Sequence, residues 1–289
     1  MKILMIGSLT IDYINDKKVP GGTALYSLIP ALFFGTDVKI FAVFGDDYPW
    51  VLDYEVEKIK STCTTTFKHI YKGETRESYV LNFPEQIFLD NMNLDNYDGV
   101  LVNLTLGEVT IDSLSHLIRS SKNVRGIDLQ GFLRLRKLGK LQHLKEVSEE
   151  LILFLRNFDI ISFAKYEKII EPINDSRIFI ERLGSEGSLI NFMDEQYLIP
   201  AYKVSGDTTG AGDAFLSSFL IKYIETKNII QAGCAASALT SLVIDGSLRP
   251  EIEGEKVKII EIIEDRKEHL SSEFIKRYKY IYNNVSKLK

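Results

Sequence analysis

The apolar positions of this chain fall into short, unbroken runs. Lys2 to Ile6, Asp37 to Phe44, Gly99 to Asn103, Val124 to Leu129, Asp159 to Phe163 and Arg177 to Leu183 are rich in Ile, Val and Leu, and Gly7 and Gly45 close the first two. Runs of that length predict strands buried on both faces, as in a parallel sheet covered by helices. Between them the period changes. Thr23 to Phe34 sets Ala24, Leu28, Ala31 and Leu32 on one stripe, and Ile111 to Ser121, Leu141 to Arg156 and Ala211 to Glu225 read as further helices. Pro30 inside the first of these predicts a kink or an early break, because proline removes a backbone donor at a cost of about 3 kcal/mol. Strands alternating with helices predict a doubly wound α/β fold, with a mainly parallel sheet carrying helices on both faces.

Two early segments break that rhythm. Ile11 to Val19 and Thr66 to Pro84 alternate polar with apolar or aromatic residues, among them Phe67, Ile70, Tyr71, Tyr79, Leu81 and Phe83. The alternation predicts half-exposed antiparallel strands. One small sheet beside the core, acting as a lid, and two separate surface hairpins fit it equally. The end of the chain, Glu255 to Lys289, is charged and helical, with Leu270, Phe274 and Tyr278 recurring every four residues. That stripe predicts packing on its own domain, with a dimer contact as the alternative. There is no internal repeat and no long linker, so residues 1–289 are expected to form one domain.

Composition narrows the partners. The 289 residues suffice for one large α/β domain. Acidic residues number 40 and basic residues 35, a net charge of -5, which lacks the Lys and Arg excess of a nucleic-acid binder. Cys63 and Cys234 are too few and too distant for a disulfide framework or a zinc site. His69, His116, His143 and His269 show no metal-ligand spacing. The apolar start MKILMIGSL is broken at Gly7 and Ser8, too early for a signal peptide, and no apolar run reaches a spanning length of about 18 residues. The simplest expectation is a reduced, cytoplasmic protein with neither membrane nor nucleic-acid partner.

Candidate chemistry concentrates in Val204 to Phe219, VSGDTTGAGDAFLSSF. Gly210, Ala211 and Gly212 follow two threonines and open an apolar-periodic helix. Small residues let the backbone approach a bound group, and the first amides of a helix lack internal partners at the positive end of the dipole. The combination suits a phosphate or another oxyanion. Asp213 follows in the first turn. A carboxylate beside a polyphosphate is adverse unless a cation intervenes or a proton must be removed, which points to Mg2+ and a general base. A tight turn with an acid completing the dipole fits the same residues. No G-x-x-x-x-G-K-[ST] occurs, GAGDAF lacks the third glycine of a dinucleotide fingerprint, and there is no HRD or DFG triplet.

DTTGAGDAF resembles the C-terminal signature of the ribokinase-like (PfkB) carbohydrate kinases. Further agreements follow in order along the chain: Asp12 after the first strand, Gly21-Gly22 opening the first helix, a strand ending in VFGDD, LGSEG from Leu183 to Gly187, and a small-residue helix from Ala232 to Leu242. The resemblance covers Lys2 to about Pro250. It implies transfer of the ATP γ-phosphoryl group to a hydroxyl of a sugar, polyol or nucleoside, with ATP and Mg2+ as cofactors. It makes Asp213 the base and the amides of Gly210, Ala211 and Gly212 the anion hole. Asp12, Gly21, Gly22 and Thr23 would face the acceptor. Asp207, Thr208, Thr209, Gly184, Ser185 and Gly187 would line the nucleotide site, with Ala235 and Ala236 near the adenine. Under this resemblance the alternating segments, about 11–19 and 66–90, become the family's β-sheet lid, through which members often dimerise. Asp213, at a helix N-terminus, is expected to have a lowered pKa.

The chain also departs from the family pattern. The usual Asn-x-x-Glu before the nucleotide loop is Ala164 to Glu167 here, which keeps Glu167, the residue tied to Mg2+, and loses the asparagine. Ser162 or a water is a substitute, and Lys165 adds a positive charge. Thr23 stands where many sugar-specific members have asparagine. DLQGFLR, Asp128 to Arg134, sits at a strand's carboxyl end and offers Gln130 and Arg134 to a substrate. Together with GGTALYS it is most similar to the inositol-kinase-like branch. Arg76 in the alternating segment is a further candidate. A nucleoside kinase of the same fold would need a platform for a base, for which Tyr13, Tyr26 and Phe132 are available. A catalytically weak sensor that binds nucleotide or sugar is the reading from another class.

Overall fold

The computed structural model describes residues 1–72, 75–89, 92–119, 123–167 and 176–288. In chain order it runs β1 (Lys2–Ser8), β2 (Thr10–Ile14), β3 (Lys17–Gly21), α1 (Thr23–Phe34), β4 (Asp37–Phe44), β5 (Val51–Leu52), β6 (Val56–Lys60), β7 (Thr65–Lys72), β8 (Thr75–Asn82) and β9 (Gly99–Asn103). It continues with α2 (Ile111–Arg119), β10 (Val124–Asp128), α3 (Gln130–Leu133), β11 (Gly139–Lys140), α4 (Glu149–Leu155), β12 (Ile160–Ala164), β13 (Ile178–Arg182), β14 (Ser188–Phe192) and β15 (Glu195–Ile199). The last part is α5 (Ala211–Thr226), α6 (Ile229–Ile244), β16 (Glu251–Glu253), β17 (Lys256–Lys258), α7 (Ile260–Asp265), α8 (Lys267–Tyr282) and β18 (Ser286–Lys287).

A 10-stranded sheet in the order β18-β15-β14-β13-β12-β10-β9-β1-β4-β6 forms the centre. From β6 to β13 every pairing is parallel, and β14, β15 and β18 extend the edge antiparallel. The apolar runs are unbroken because both faces are covered. Along β1, Ile3 and Met5 join the core packed by α1, α5 and α6, while Leu4 and Ile6 join the core packed by α2 and α4. This is the doubly wound architecture expected from the sequence. Among the described residues no helix is long and apolar enough to cross a membrane.

The alternating segments build a separate 5-stranded sheet, β11-β8-β7-β2-β3. Its own core is small, with Phe67, Val80 and Leu106 at the centre. Each segment forms the expected antiparallel strands, β2 with β3 and β7 with β8, and the two hairpins join through β2 and β7, which pair parallel, Thr10 opposite Thr65. The reason is topological. Each leaves the same end of the parallel sheet, β2 after β1 and β7 after β6, so both run in one direction. Strand pairing stops at Asn82, and the chain from 83 to 89 returns to the main body, where the Ile87 amide donates to Glu108 O and Leu89 is buried. Asp90 lies outside the described residues.

Two other expectations fail locally. The helix expected over Leu141 to Arg156 is confined to Glu149–Leu155, with the Ser148 hydroxyl capping the Leu151 amide. Upstream, β11 pairs with β8, the Leu141 amide donates to Ser78 O and the Leu144 amide to Leu133 O. Backbone partners from elsewhere in the fold outweigh the helical period there. Pro30 does not break α1, which runs on to Phe34. One lost hydrogen bond is offset by burial, since Thr23 through Ala31 are all buried. The tail packs on its own domain as expected: α8 buries Leu270 and stacks Phe274 against Phe33 and Phe34.

Candidate active site

The signature turn lies at the carboxyl ends of the central parallel strands. Gly210 caps α5 with φ +77°, and a Cβ there would sit 2.0 Å from the Tyr26 ring. Only glycine satisfies both the left-handed backbone and that contact. The Ala211 amide donates to Thr208 O at 3.1 Å, so the turn itself uses one of the three amides expected to face an anion.

Asp213 projects from the first turn of α5 and is 9 % exposed. Its Oδ1 accepts from Asn103 Nδ2 at 3.0 Å and from Gln130 Nε2 at 2.7 Å. Gln130 was expected here from the sequence. Asn103 was not, and its only signal was a polar residue closing the apolar strand GVLVN. The lowered pKa expected for Asp213 is wrong. Burial, reinforced by the nearby Asp128 carboxylate, pushes it up to about 6, against the amide donors and Arg182.

Across the parallel strands, Asp128 ends β10, Ser162 lies on β12 and Arg182 ends β13, brought level by the register Asp128–Ser162–Ile180 and Ala164–Arg182. Arg182 Nη1 binds Asp128 and Ser162, and its Nη2 lies 3.9 Å from Glu167 Oε2. Glu167 Oε2 also accepts the Ala164 amide at 3.0 Å. Burial and Asp128 hold the Glu167 carboxyl above its usual range. Its Oε1 is buried without a hydrogen bond, 3.7 Å from His143 Nε2. Lys165 pairs with Glu186. Sequence reading missed Arg182: it immediately precedes the LGSEG segment, but its partners Asp128, Ser162 and Glu167 come from other strands and turns.

A cavity of about 80 Å³ opens between Asp213 and Gln130 on one side and the small sheet on the other. That is room for a handful of waters at about 10–15 Å³ each, and hence for a small molecule. Its lining is mostly polar: Thr10, Asp12, Thr23, His69, Arg76, Ser78, Thr105, Gln130, Arg134, Thr209 and Asp213, with Tyr26, Phe67 and Leu141 as apolar walls. Asp12 accepts from Thr10 Oγ1 at 2.9 Å and lies 3.6 Å from His69 Nε2. Gly21 leaves space for that carboxylate, because a Cβ there would fall 2.2 Å from Asp12 Oδ2. Gly22 lines the wall at the start of α1. The Thr23 hydroxyl is committed to the backbone, donating to Asn103 O and accepting the Ser8 amide. It therefore ties β1 to β9 while the residue lines the cavity. Arg134 Nη1 donates to Thr105 O, and its Nε is buried without a partner. Arg76 and Tyr71, from the small sheet, both bond Thr209 Oγ1 at 3.2 Å. Of the proposed platform residues only Tyr26 lines the cavity; Phe132 packs on Phe154 and Tyr13 on the main core.

Residues 145–248 match the model of the pfkB family carbohydrate kinases. That stretch holds Glu167, Arg182 and the turn that leads into Asp213. A curated relative, the nucleoside kinase of Methanocaldococcus jannaschii, is 22% identical, with 84% of this chain and 90% of that protein covered. Among solved structures, a pyrophosphate-dependent kinase in the ribokinase family, complexed with a pyrophosphate analogue and myo-inositol, is 21% identical. It superposes with a TM-score of 0.66 over 84% of this chain and 95% of that one. A ribokinase from Cryptococcus neoformans var. grubii in complex with ADP is 16% identical, with a TM-score of 0.67 over 92% and 99%.

At the start of the signature turn, Asp207 is gripped by Arg249, whose Nη2 also donates to Asp207 O and to Thr209 O. Burial raises the Asp207 pKa, but the Thr209 amide and hydroxyl together with Arg249 outweigh it and leave it lowered. Thr208, Thr209 and the helical turn Gly184–Glu186, with Ser185 at its middle and Gly187 after it, stand on loops at the same end of the fold. Ala235 and Ala236 do not fit the adenine role. They are 3 % and 0 % exposed, packed into the core, and present no surface to a base.

Proposed function

We propose that this kinase moves the terminal phosphoryl group of ATP to a hydroxyl of a small polyol or sugar. The observation that carries the reading is the buried Asp213 carboxylate, poised near neutrality beside the amide turn and at the floor of a small polar cavity. The acceptor oxygen forms the new P–O bond. The bond from the γ-phosphorus to the bridging oxygen breaks, its electron pair leaves with ADP, and the hydroxyl proton passes to Asp213. A base with a pKa of about 6 is ionised at pH 7 and still able to take that proton. Little covalent work is asked of the protein beyond positioning and charge neutralisation, since the transition state is loose. Asp12, His69, Gln130, Arg134 and Arg76 would orient the hydroxyls, and the small sheet would act as a lid that excludes water.

Mg2+ neutralises phosphate oxygens in such reactions. The residues here do not fit a protein-held ion: no group of three or more metal-ligating side chains forms among the described residues, and Asp128 and Glu167 both face Arg182. Glu167 is accordingly assigned no direct ligation, and no step above runs through the ion.

A nucleoside acceptor is the second reading, favoured by the Phe67 and His69 rings stacked at the cavity wall, 5.8 Å apart. The deciding experiment is ADP release from ATP and Mg2+ across myo-inositol, ribose, fructose, adenosine and cytidine. A parallel arm uses pyrophosphate as donor, and Asp213→Asn serves as control. One polyol or sugar that the control does not turn over is the expected result. A nucleoside hit replaces the acceptor class, and full turnover by Asp213→Asn removes the base assignment.

A further inference from the structure

Arg182 sits in an unusual electrostatic position. An ideal Cβ on Gly212 would lie 3.1 Å from its Nε, 3.2 Å from Cζ and 3.4 Å from Nη2, so the guanidinium rests against the first turn of α5. The amides of that turn form the positive end of the helix, where a cation is adverse. The Arg182 side chain is 15% exposed, while its partners Asp128 and Glu167 lie deeper, at 0% and 1%. The two carboxylates grip it from the protein side, and its Nε, Cζ and Nη2 lie against Gly212 in that turn. An anion held between turn and guanidinium would convert the adverse contact into paired, charge-assisted hydrogen bonds. Ala164, its parallel neighbour on β12, is small enough to leave the arginine that space.

We propose that the Arg182 guanidinium is the side-chain cation that meets the transferred phosphoryl group, held in place by Asp128 and Glu167. The inference rests on the kinase reading above. As the new P–O bond forms from the acceptor oxygen and the donor's bridging P–O bond breaks, Arg182 faces the charge on the equatorial oxygens. No proton moves to or from it.

The test measures turnover and phosphate binding separately, with inorganic tripolyphosphate as the binding probe. Arg182→Gln should lower kcat by about 10²- to 10³-fold, the scale of a lost transition-state charge contact, with the acceptor KM within about threefold. Arg182→Lys should recover only part of this, because a point charge lacks the planar fork. Tripolyphosphate affinity should fall more than about tenfold in Arg182→Gln, and millimolar guanidinium should restore turnover to it but not to Asp213→Asn. Arg182→Gln combined with Asp128→Asn keeps the charge balance and guards against loss of folding. If a folded variant keeps kcat and tripolyphosphate affinity within about threefold of wild type while Asp213→Asn is inactive, the Arg182 role is overturned and the kinase reading stands. If the wild type turns over no acceptor, yet its tripolyphosphate binding is lost with Arg182, the phosphate contact stands and the kinase reading falls.

Discussion

The two walls around Asp213 are built by different means. One wall, residues 207–213, is a contiguous turn that works through its backbone. Gly210 lets the chain press against Tyr26, and Asp213 follows in the first helical turn. The other wall is assembled from single residues on or just after separate strands: Asn103, Asp128, Gln130, Ser162 and Arg182. The first wall holds the amide turn and the proposed base. The second decides how strong that base is. Its Asn103 and Gln130 donors and its Arg182 charge favour ionised Asp213, while burial and Asp128 oppose it more strongly. A signature motif therefore locates the proposed base, but its acidity is set by residues that share no sequence neighbourhood with it.

The largest effect should come from breaking the first wall at its side chain. Asp213→Asn is expected to keep the fold and to lower kcat by about 10²- to 10⁴-fold in steady-state assays. The same variant should gain stability at neutral pH. The Asp213 pKa is about 6 when folded against an ordinary 3.8, so between those values the folded chain holds a proton that the unfolded chain has lost. Wild-type stability therefore falls as pH rises from about 4 to about 6, by about 2–3 kcal/mol, and Asp213→Asn removes that fall. Urea melts of both proteins at pH 4 and 7.5 check the sign. Wild-type kcat/KM should rise with pH through about 6 as the base ionises.

Breaking the same wall at its backbone should act on stability first. Gly210→Ala forces a left-handed φ on alanine and drives its Cβ into the Tyr26 ring. A loss of about 2–4 kcal/mol in chemical denaturation is expected. A loss under about 0.5 kcal/mol would mean that Tyr26 moves away freely.

Breaking the second wall should shift the base rather than abolish it. Asn103→Leu removes one donor to Asp213. The midpoint of the pH–kcat/KM profile should move upward and activity at pH 7 should fall about tenfold, with recovery toward pH 9. An unmoved midpoint would separate the two walls energetically. The smallest change lies outside both. Asn228 caps α6 through the Ile230 and Gln231 amides. Asn228→Ala should cost about 1 kcal/mol in thermal or urea stability and leave kcat unchanged.

The sequence by itself determined the layered α/β architecture, because unbroken apolar runs such as GVLVN are stable only with both faces covered. It also determined the turn at 207–213, since glycines and a first-turn acid act within one continuous segment. Tertiary structure decided the rest. It alone set the parallel pairing of β2 with β7, the diversion of Leu141 and Leu144 into backbone pairing, and the unbroken α1 across Pro30. It made Thr23 a tie between strands and drew Ala235 and Ala236 into the core. It placed Asn103 and Arg182 around Asp213, and so reversed the expected direction of that residue's pKa. The physical reason is common to these cases. Desolvation, strand register and cross-strand charge depend on what is near in space, and a pattern read along one segment carries only the partners within that segment.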